Sequence, residues 1–211
     1  MKEEKVSIPS KGIQLEGLLS IQEALPVKGG LIFCHPHPQY GGDMNNAVVA
    51  AAVGTAFQEG FATLRFNFRG VGKSEGTYGE GIGEKEDVLA AVEYLISALK
   101  APDAILILGG YSFGAMVSLP IAVRDDRIKG VVAVAPPLEM FDFQFLEGYR
   151  RKKLIIAGDQ DLVCPKPLLE KWYQRLAEPK SLALIQGADH FFFHHTRDLI
   201  GPLKRFFSSE F

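Results

Sequence analysis

Gly110-Tyr111-Ser112-Phe113-Gly114 reads G-x-S-x-G, a serine held between two glycines. An apolar run of strand length, Ala104-Ile105-Leu106-Ile107-Leu108-Gly109, leads into it, and Ala115-Met116-Val117-Ser118-Leu119, suited to a buried helix, leads out. Strand, tight turn and helix form the setting that presents a serine oxygen as a nucleophile. The glycines leave space where side chains would strike the neighbouring strand and helix, and the serine takes the strained position between them. The turn also aims backbone N–H groups and a helix N-terminus at the place where negative charge would develop.

A serine hydroxyl is a poor nucleophile at neutral pH, so a base must take its proton. An imidazole base in turn needs a carboxylate to fix its tautomer and stabilise its charged form. Two loops offer these groups. Gly158-Asp159-Gln160-Asp161 follows the apolar run Leu154 to Ala157, and Gly187-Ala188-Asp189-His190 follows Leu182 to Ile185. His190 is the expected base. Asp161 is favoured as the acid over Asp159, because it lies further into its loop and can turn back toward a histidine; Asp159 then caps the turn. Asp189 reads as a turn residue. His194 and His195 read as surface or packing residues. The loop from His35 to Gly42 is expected to add a second oxyanion donor to the N–H of Phe113. Pro36 and Pro38 have no N–H, which leaves His37, with Gln39 and Tyr40 behind it. The imidazoles of His35 and His37 are expected to shape that loop by hydrogen bonding.

These groups need a scaffold that brings strand ends together. Val6–Ile8 and Leu15–Ile21 read as an antiparallel pair around the Pro9–Gly12 turn, a half-exposed edge. After them, apolar strands alternate with helices: strand Gly30–Cys34, helix Asn45–Glu59, strand Ala62–Phe68, helix Glu84–Leu99, strand Asp103–Leu108, helix from Ser112 to about Arg124 with a kink at Pro120, strands Ile128–Ala135 and Leu154–Gly158, helix Lys166–Leu176 and strand Leu182–Ile185. The 84–99 helix carries Val88, Leu89, Val92, Leu95, Ile96 and Leu99 as its apolar stripe. A terminal helix with an interior Pro202 ends the chain. The alternation predicts an α/β fold with a mostly parallel sheet of about eight strands and helices on both faces. In such sheets ligands bind at the carboxyl ends of the strands, where Ser112, Asp161 and His190 all fall. Pro136 to Arg151 is the one sizeable insertion, too short for a helical cap but long enough for a flap. Phe191-Phe192-Phe193 and Phe206-Phe207 are expected in the core, with an interface as the alternative.

At 211 residues with 47% hydrophobic content, the chain reads as a single domain, residues 1–211, with ample core. A net charge of −2 with no basic run argues against nucleic acid as a partner. Cys34 and Cys164 are far apart with no metal-ligand spacing and read as buried or half-buried thiols; nothing calls for disulfides, in keeping with a cytoplasmic location. The charged start leads into no apolar segment of a secretory signal, and no run approaches the ~20 residues of a membrane span. Gly70-Val71-Gly72-Lys73-Ser74 imitates the end of a phosphate-binding loop, but Asn67 stands where that motif requires glycine. His190 and His194 have the spacing of a zinc pair without the H-E-x-x-H glutamate. No cofactor and no metal are therefore expected.

The chain resembles small bacterial serine hydrolases of the α/β-hydrolase superfamily, near the dienelactone-hydrolase-like group, from about Gly12 to Phe207. The pieces that carry the resemblance are His35-Pro36-His37-Pro38 with Gly41-Gly42, Asn67-Phe68-Arg69-Gly70-Val71-Gly72-Lys73-Ser74, the Ser112 turn, Gly158-Asp159-Gln160-Asp161 and Asp189-His190. The resemblance implies the α/β-hydrolase fold without a large cap, Ser112 as nucleophile, Asp161 as acid and His190 as base. It departs in two places: a proline-bearing loop replaces the usual His-Gly oxyanion motif, and dienelactone hydrolases proper use cysteine where this chain has Ser112. The expected activity is hydrolysis of small acyl esters through an acyl-enzyme. The alternatives are a peptidase or thioesterase on the same three residues, or a silent binding scaffold. The expected partner is a small acyl substrate, with no membrane and with oligomeric state open.

Overall fold

The structure, a computed structural model, describes residues 2–22, 27–101 and 104–209. Asp103, expected to start the strand into Ser112, lies outside the described residues. Two strands, β1 (Glu4–Ser10) and β2 (Ile13–Ser20), form an antiparallel hairpin. The remaining strands are β3 (Gly29–Cys34), β4 (Phe61–Phe66), β5 (Ile105–Tyr111), β6 (Ile128–Val134), β7 (Lys152–Gly158) and β8 (Lys180–Ile185). All eight join one sheet in the order β1-β2-β4-β3-β5-β6-β7-β8. Among the described residues, only the β1–β2 and β2–β4 pairings are antiparallel. The central strands read as unbroken apolar runs because both of their faces are covered.

Among the described residues five helices supply that cover: α1 (Ala47–Gln58), α2 (Gly83–Leu99), α3 (Phe113–Arg124), α4 (Lys166–Arg175) and α5 (Ile200–Ser208). Successive strand residues point to opposite faces, so each strand feeds two cores. Leu31, Phe33, Ile107 and Val132 pack with α1 and α5 on one face, through Val49, Val53, Leu203 and Phe207. Ile32, Leu106, Leu108 and Val131 pack on the other face with α2, α3 and α4, through Val92, Val117 and Trp172. This is the α/β-hydrolase arrangement, with β5, the strand that leads to Ser112, in the middle of the sheet.

The structure corrects the sequence reading in four places. Leu89 is exposed, because the buried stripe of α2 runs through Asp87, Val88, Ala91, Val92 and Leu95, and Leu89 sits about 100° further round from Val88. Pro202 is no interior break: a 3-10 turn at Thr196–Leu199 comes first, and α5 starts at Ile200, which puts Pro202 in a first turn whose N–H groups have no intrahelical partner. Phe192 is buried while Phe191 and Phe193 are exposed, because Phe192 takes a left-handed φ of 53° and the chain turns sharply there. The segment from Pro136 to Arg151 is not a flap. Phe143, Leu146 and Tyr149 are buried in the core beside α3 and α4, Phe143 O accepts from the Trp172 indole at 3.2 Å, and Tyr149 O–H donates to Ile128 O at 3.3 Å.

Candidate active site

Ser112 stands between the end of β5 and the start of α3 with φ 53° and ψ −115°, a left-handed conformation uncommon for a residue with a side chain. Its N–H is tied to Val134 O at the end of β6, at 2.9 Å. The flanking glycines are required by close approach. A Cβ on Gly114 would lie 2.3 Å from Cys34 O, and one on Gly110 would lie 2.2 Å from the Gly114 carbonyl carbon. The first turn of α3 therefore sits directly against the end of β3, with Ser112 at its mouth.

The loops after β7 and β8 bring the other two groups to it. His190 Nε2 lies 2.9 Å from Ser112 Oγ, and His190 Nδ1 lies 2.8 Å from Asp161 Oδ2. A carboxylate oxygen only accepts, so Nδ1 carries the proton and Nε2 accepts from the serine hydroxyl. The other oxygen, Asp161 Oδ1, accepts from Val163 N and Cys164 N, both at 2.8 Å. The Asp161 side chain has 0% exposure against 12% for His190. A buried carboxylate with both oxygens bonded is a fixed support rather than a mobile charge. Two close crossings set these loops: Gln160 N donates to Ala188 O at 3.0 Å, and a Cβ on Gly158 would meet that same oxygen at 2.1 Å.

On the opposite side of Ser112 lies the loop after β3. Tyr40 N and Gly42 N donate to His37 O, and Gly41 N donates to Pro38 O, which closes the loop and leaves the His37 N–H out of those bonds. The His37 and Phe113 rings are 4.8 Å apart, so His37 sits beside the residue that follows the serine. Phe113 is the first residue of α3, where the helix gives its N–H no partner of its own. His37 Nδ1 accepts from Gln39 N at 3.2 Å, which puts the proton of the neutral ring on Nε2, facing Tyr78 Oη at 3.1 Å. Burial holds the His37 pKa below its ordinary value. His35 is fully buried beneath the loop. Its Nε2 accepts from Phe68 N at 3.0 Å, and its Nδ1–H donates to Pro36 O at 2.7 Å. Burial pushes its pKa down to about 4, so at neutral pH it is an uncharged strut.

The remaining candidates are engaged elsewhere. Asp159 Oδ1 accepts from Gly187 N at 2.7 Å, and Asp189 Oδ1 accepts from Phe191 N at 3.0 Å, so both serve turns. His194 is exposed, and His195 Nδ1 pairs with Asp198 Oδ2 at 2.9 Å. The Gly70–Ser74 stretch builds no phosphate cradle: Ser74 Oγ donates to Asn67 O at 2.7 Å and accepts from Glu16 N at 3.0 Å, and the following helix begins only at Gly83. Cys34 and Cys164 are buried free thiols whose pKa burial raises, which disfavours the thiolate. Two residues went unread in the sequence. Tyr111 O–H donates to His190 O at 2.6 Å, and Tyr78 stands beside His37. A buried phenol one residue before the serine needs an acceptor, which was the available signal for Tyr111. Tyr78 lies in a glycine-rich loop that gives none.

A family model described as alpha/beta hydrolase domain matches residues 29–199. An uncharacterized protein of Rickettsia prowazekii is 36% identical over 172 residues, 78% of this chain and 72% of that protein. Among solved structures, an alpha-beta serine hydrolase homologue from Coxiella burnetii superposes with a TM-score of 0.88 at 34% identity, covering 97% of each chain. A Xanthomonas campestris member of the α/β serine hydrolases, described as without lid, gives a TM-score of 0.84 at 30% identity, covering 97% of this chain and 93% of that one. With a strand order, a turn geometry and a family match that agree over most of its length, the chain belongs to the alpha/beta hydrolases.

Proposed function

We propose that the protein is a serine hydrolase that cleaves small acyl esters through an acyl-enzyme. The hydrogen-bond chain Ser112 Oγ–His190 Nε2, His190 Nδ1–Asp161 Oδ2 carries this reading. Ser112 Oγ attacks the ester carbonyl as His190 Nε2 takes its proton. Asp161 Oδ2 holds the Nδ1–H and stabilises the imidazolium. The carbonyl oxygen becomes an oxyanion between the N–H groups of Phe113 and His37, at the positive end of α3. His190 then gives its proton to the leaving alcohol. In the second half a water molecule, deprotonated by His190, attacks the acyl group and restores Ser112.

Surface chemistry supports an apolar acyl group. Leu162 (85% exposed) follows Asp161, and Phe191 (60% exposed) follows His190, its ring 5.7 Å from the imidazole. Exposed aliphatic and aromatic surface next to the acid and the base gives an acyl chain a ledge to lie on, and Phe143, Leu146 and Tyr149 pin the Pro136–Arg151 segment to the core rather than leaving it free to close over that ledge. The test is labelling with a fluorophosphonate, followed by Ser112→Ala. Wild type should label at one site and hydrolyse short esters; Ser112→Ala should fold, fail to label and lose on the order of 10⁴-fold or more in turnover. A folded Ser112→Ala variant with near wild-type turnover would overturn the mechanism.

A further inference from the structure

Tyr111 occupies the first variable position of the serine turn, and its side chain turns away from Ser112 toward the base. Its O–H donates to the backbone carbonyl of His190 at 2.6 Å, a short bond between residues 79 positions apart. Its ring lies 5.7 Å from the imidazole and 6.1 Å from Phe192. Tyr111 itself is buried, and burial raises the pKa of its phenol, so the hydroxyl stays protonated and remains a donor. His190 carries its functional ring on a turn whose next firm anchor is Phe192, buried in the core with its carbonyl accepting from His195 N at 3.0 Å. Phe191 N is turned onto Asp189, the Phe192 N bond to Asp189 O is long at 3.4 Å, and Phe192 and His194 both have left-handed φ. The contacts that fix the loop in front of His190 come from the β7 side, through Ala188. From the nucleophile side, the Tyr111 phenol is the side chain that grips the His190 backbone.

Resting on the reading of Ser112 and His190 as nucleophile and base, we propose that Tyr111 is a positioning residue that sets the Ser112–His190 distance by tying the carbonyl of the base to the strand end that carries the nucleophile. Tyr111 and Ser112 are adjacent in the chain, so the 2.6 Å bond fixes the base in the nucleophile's own frame. A ring held only by Asp161 can pivot about that contact and still keep its Nδ1 bond; a second anchor on the His190 backbone removes the pivot. The phenol hydroxyl bonds the His190 backbone, not the imidazole or Ser112 Oγ. Its contribution is geometric, and small errors of placement are expensive in rate.

Tyr111→Phe removes the hydroxyl and keeps the ring. The expected result is a fall of about 10²-fold in kcat with KM for a short ester unchanged, a matching fall in the fluorophosphonate labelling rate per folded molecule, and a cooperative thermal transition close to wild type. Unchanged kcat and labelling rate per folded molecule would overturn the inference, as would a change confined to KM or to Tm. If the variant fails to fold, site-specific 4-fluorophenylalanine at 111 gives the reading instead. Its fluorine fills the place of the hydroxyl and cannot donate, so kcat should fall by about 10²-fold with KM unchanged; an unchanged kcat would overturn the inference. Failure of the serine mechanism is separable from both results, because wild type itself would then not label.

Discussion

Replacing Asp161 by asparagine keeps the size and shape of the side chain and removes its inability to donate. The surroundings dictate how the amide must sit. Two backbone N–H groups, from Val163 and Cys164, point at Oδ1 from 2.8 Å, so the amide oxygen takes that position. The NH₂ group then faces His190 Nδ1, where Oδ2 now accepts at 2.8 Å. Two N–H groups cannot share that contact, so the imidazole moves its proton to Nε2. Nε2 then points a hydrogen at Ser112 Oγ instead of a lone pair, and general-base catalysis is lost. A wrong tautomer with intact geometry costs roughly 10⁴-fold in kcat, about 5.5 kcal/mol of transition-state stabilisation. Stability should change by less than about 1 kcal/mol, because the Oδ1 bonds survive. Asp159→Asn is the internal control. Its Oδ1 accepts from Gly187 N, a task that an amide oxygen performs equally well, so kcat should stay within about threefold of wild type. The assay is steady-state hydrolysis of a chromogenic acetate ester, with thermal melts on the same preparations. An Asp161→Asn enzyme within tenfold of wild type, or an Asp159→Asn enzyme that loses as much, would refute the reasoning.

Acid sensitivity should trace in part to His35. Its folded pKa is depressed to about 4 against an ordinary 6.5, so the unfolded chain takes up the proton first; the stability is fully present above pH ~6.5 and is lost as pH falls toward 4, by up to about 3 kcal/mol. Denaturant midpoints measured across that window should fall with pH in wild type and fall less in His35→Gln; equal slopes would remove His35 as the cause. Gly158→Ala drives a Cβ into Ala188 O, so it should displace the His190 loop and lower kcat by about 10²-fold while Ser112 keeps its own turn, and wild-type turnover in the folded variant would show that the crossing has slack. Across straight-chain esters, a ledge at Leu162 and Phe191 contacts one side of the acyl chain, so each methylene should gain less than the ~0.8 kcal/mol of full burial and kcat/KM should level off after short chains. A steady rise to long chains would reveal a tunnel, and a higher rate on emulsified than on dissolved ester would reveal interfacial activation.

The parts legible in the sequence were those dictated by local rules. Continuous apolar runs marked β3, β5, β6 and β7 because both faces of these strands are covered, and the G-x-S-x-G glycines marked a turn whose space the structure shows to be filled by Cys34 O and the Gly114 backbone. Asp161 was separable from Asp159 only by its position in the loop, yet the structure gives the two entirely different partners. What stayed hidden was set by tertiary context. Nothing local distinguishes Phe192, turned inward, from Phe191 and Phe193 on either side of it. The Phe143 ring packs on Trp172 in α4 and the Tyr149 phenol reaches back to Ile128 in β6, contacts of 29 and 21 positions with no local signature, so the segment that carries them read as a flap. The Tyr111–His190 contact spans 79 residues and carries no periodicity.

The order of the strands explains why His190 needs so much help to reach Ser112. His190 follows β8, and β8 stands three strand spacings from β5 through β7 and β6. At about 4.8 Å per spacing that is roughly 14 Å, yet His190 Nε2 lies 2.9 Å from Ser112 Oγ. The chain must therefore run back from β8 over the ends of β7 and β6. It can pass over β7 only where no side chain stands in the way, which is the place of Gly158. There Gln160 N holds Ala188 O, and one turn further the acid reaches the imidazole. Just past the end of β6, Ala135 is left-handed at φ 44° and ties its N–H to Ile156 O at 2.7 Å, and beyond His190 the chain turns through left-handed residues at 192 and 194. Such conformations cost of order 1–3 kcal/mol each. At the far end of this overpass the first group belonging to β5 is the Tyr111 phenol. An imidazole delivered from a distant strand is located by the strand it reaches, and Tyr111 is where β5 takes hold of the His190 backbone.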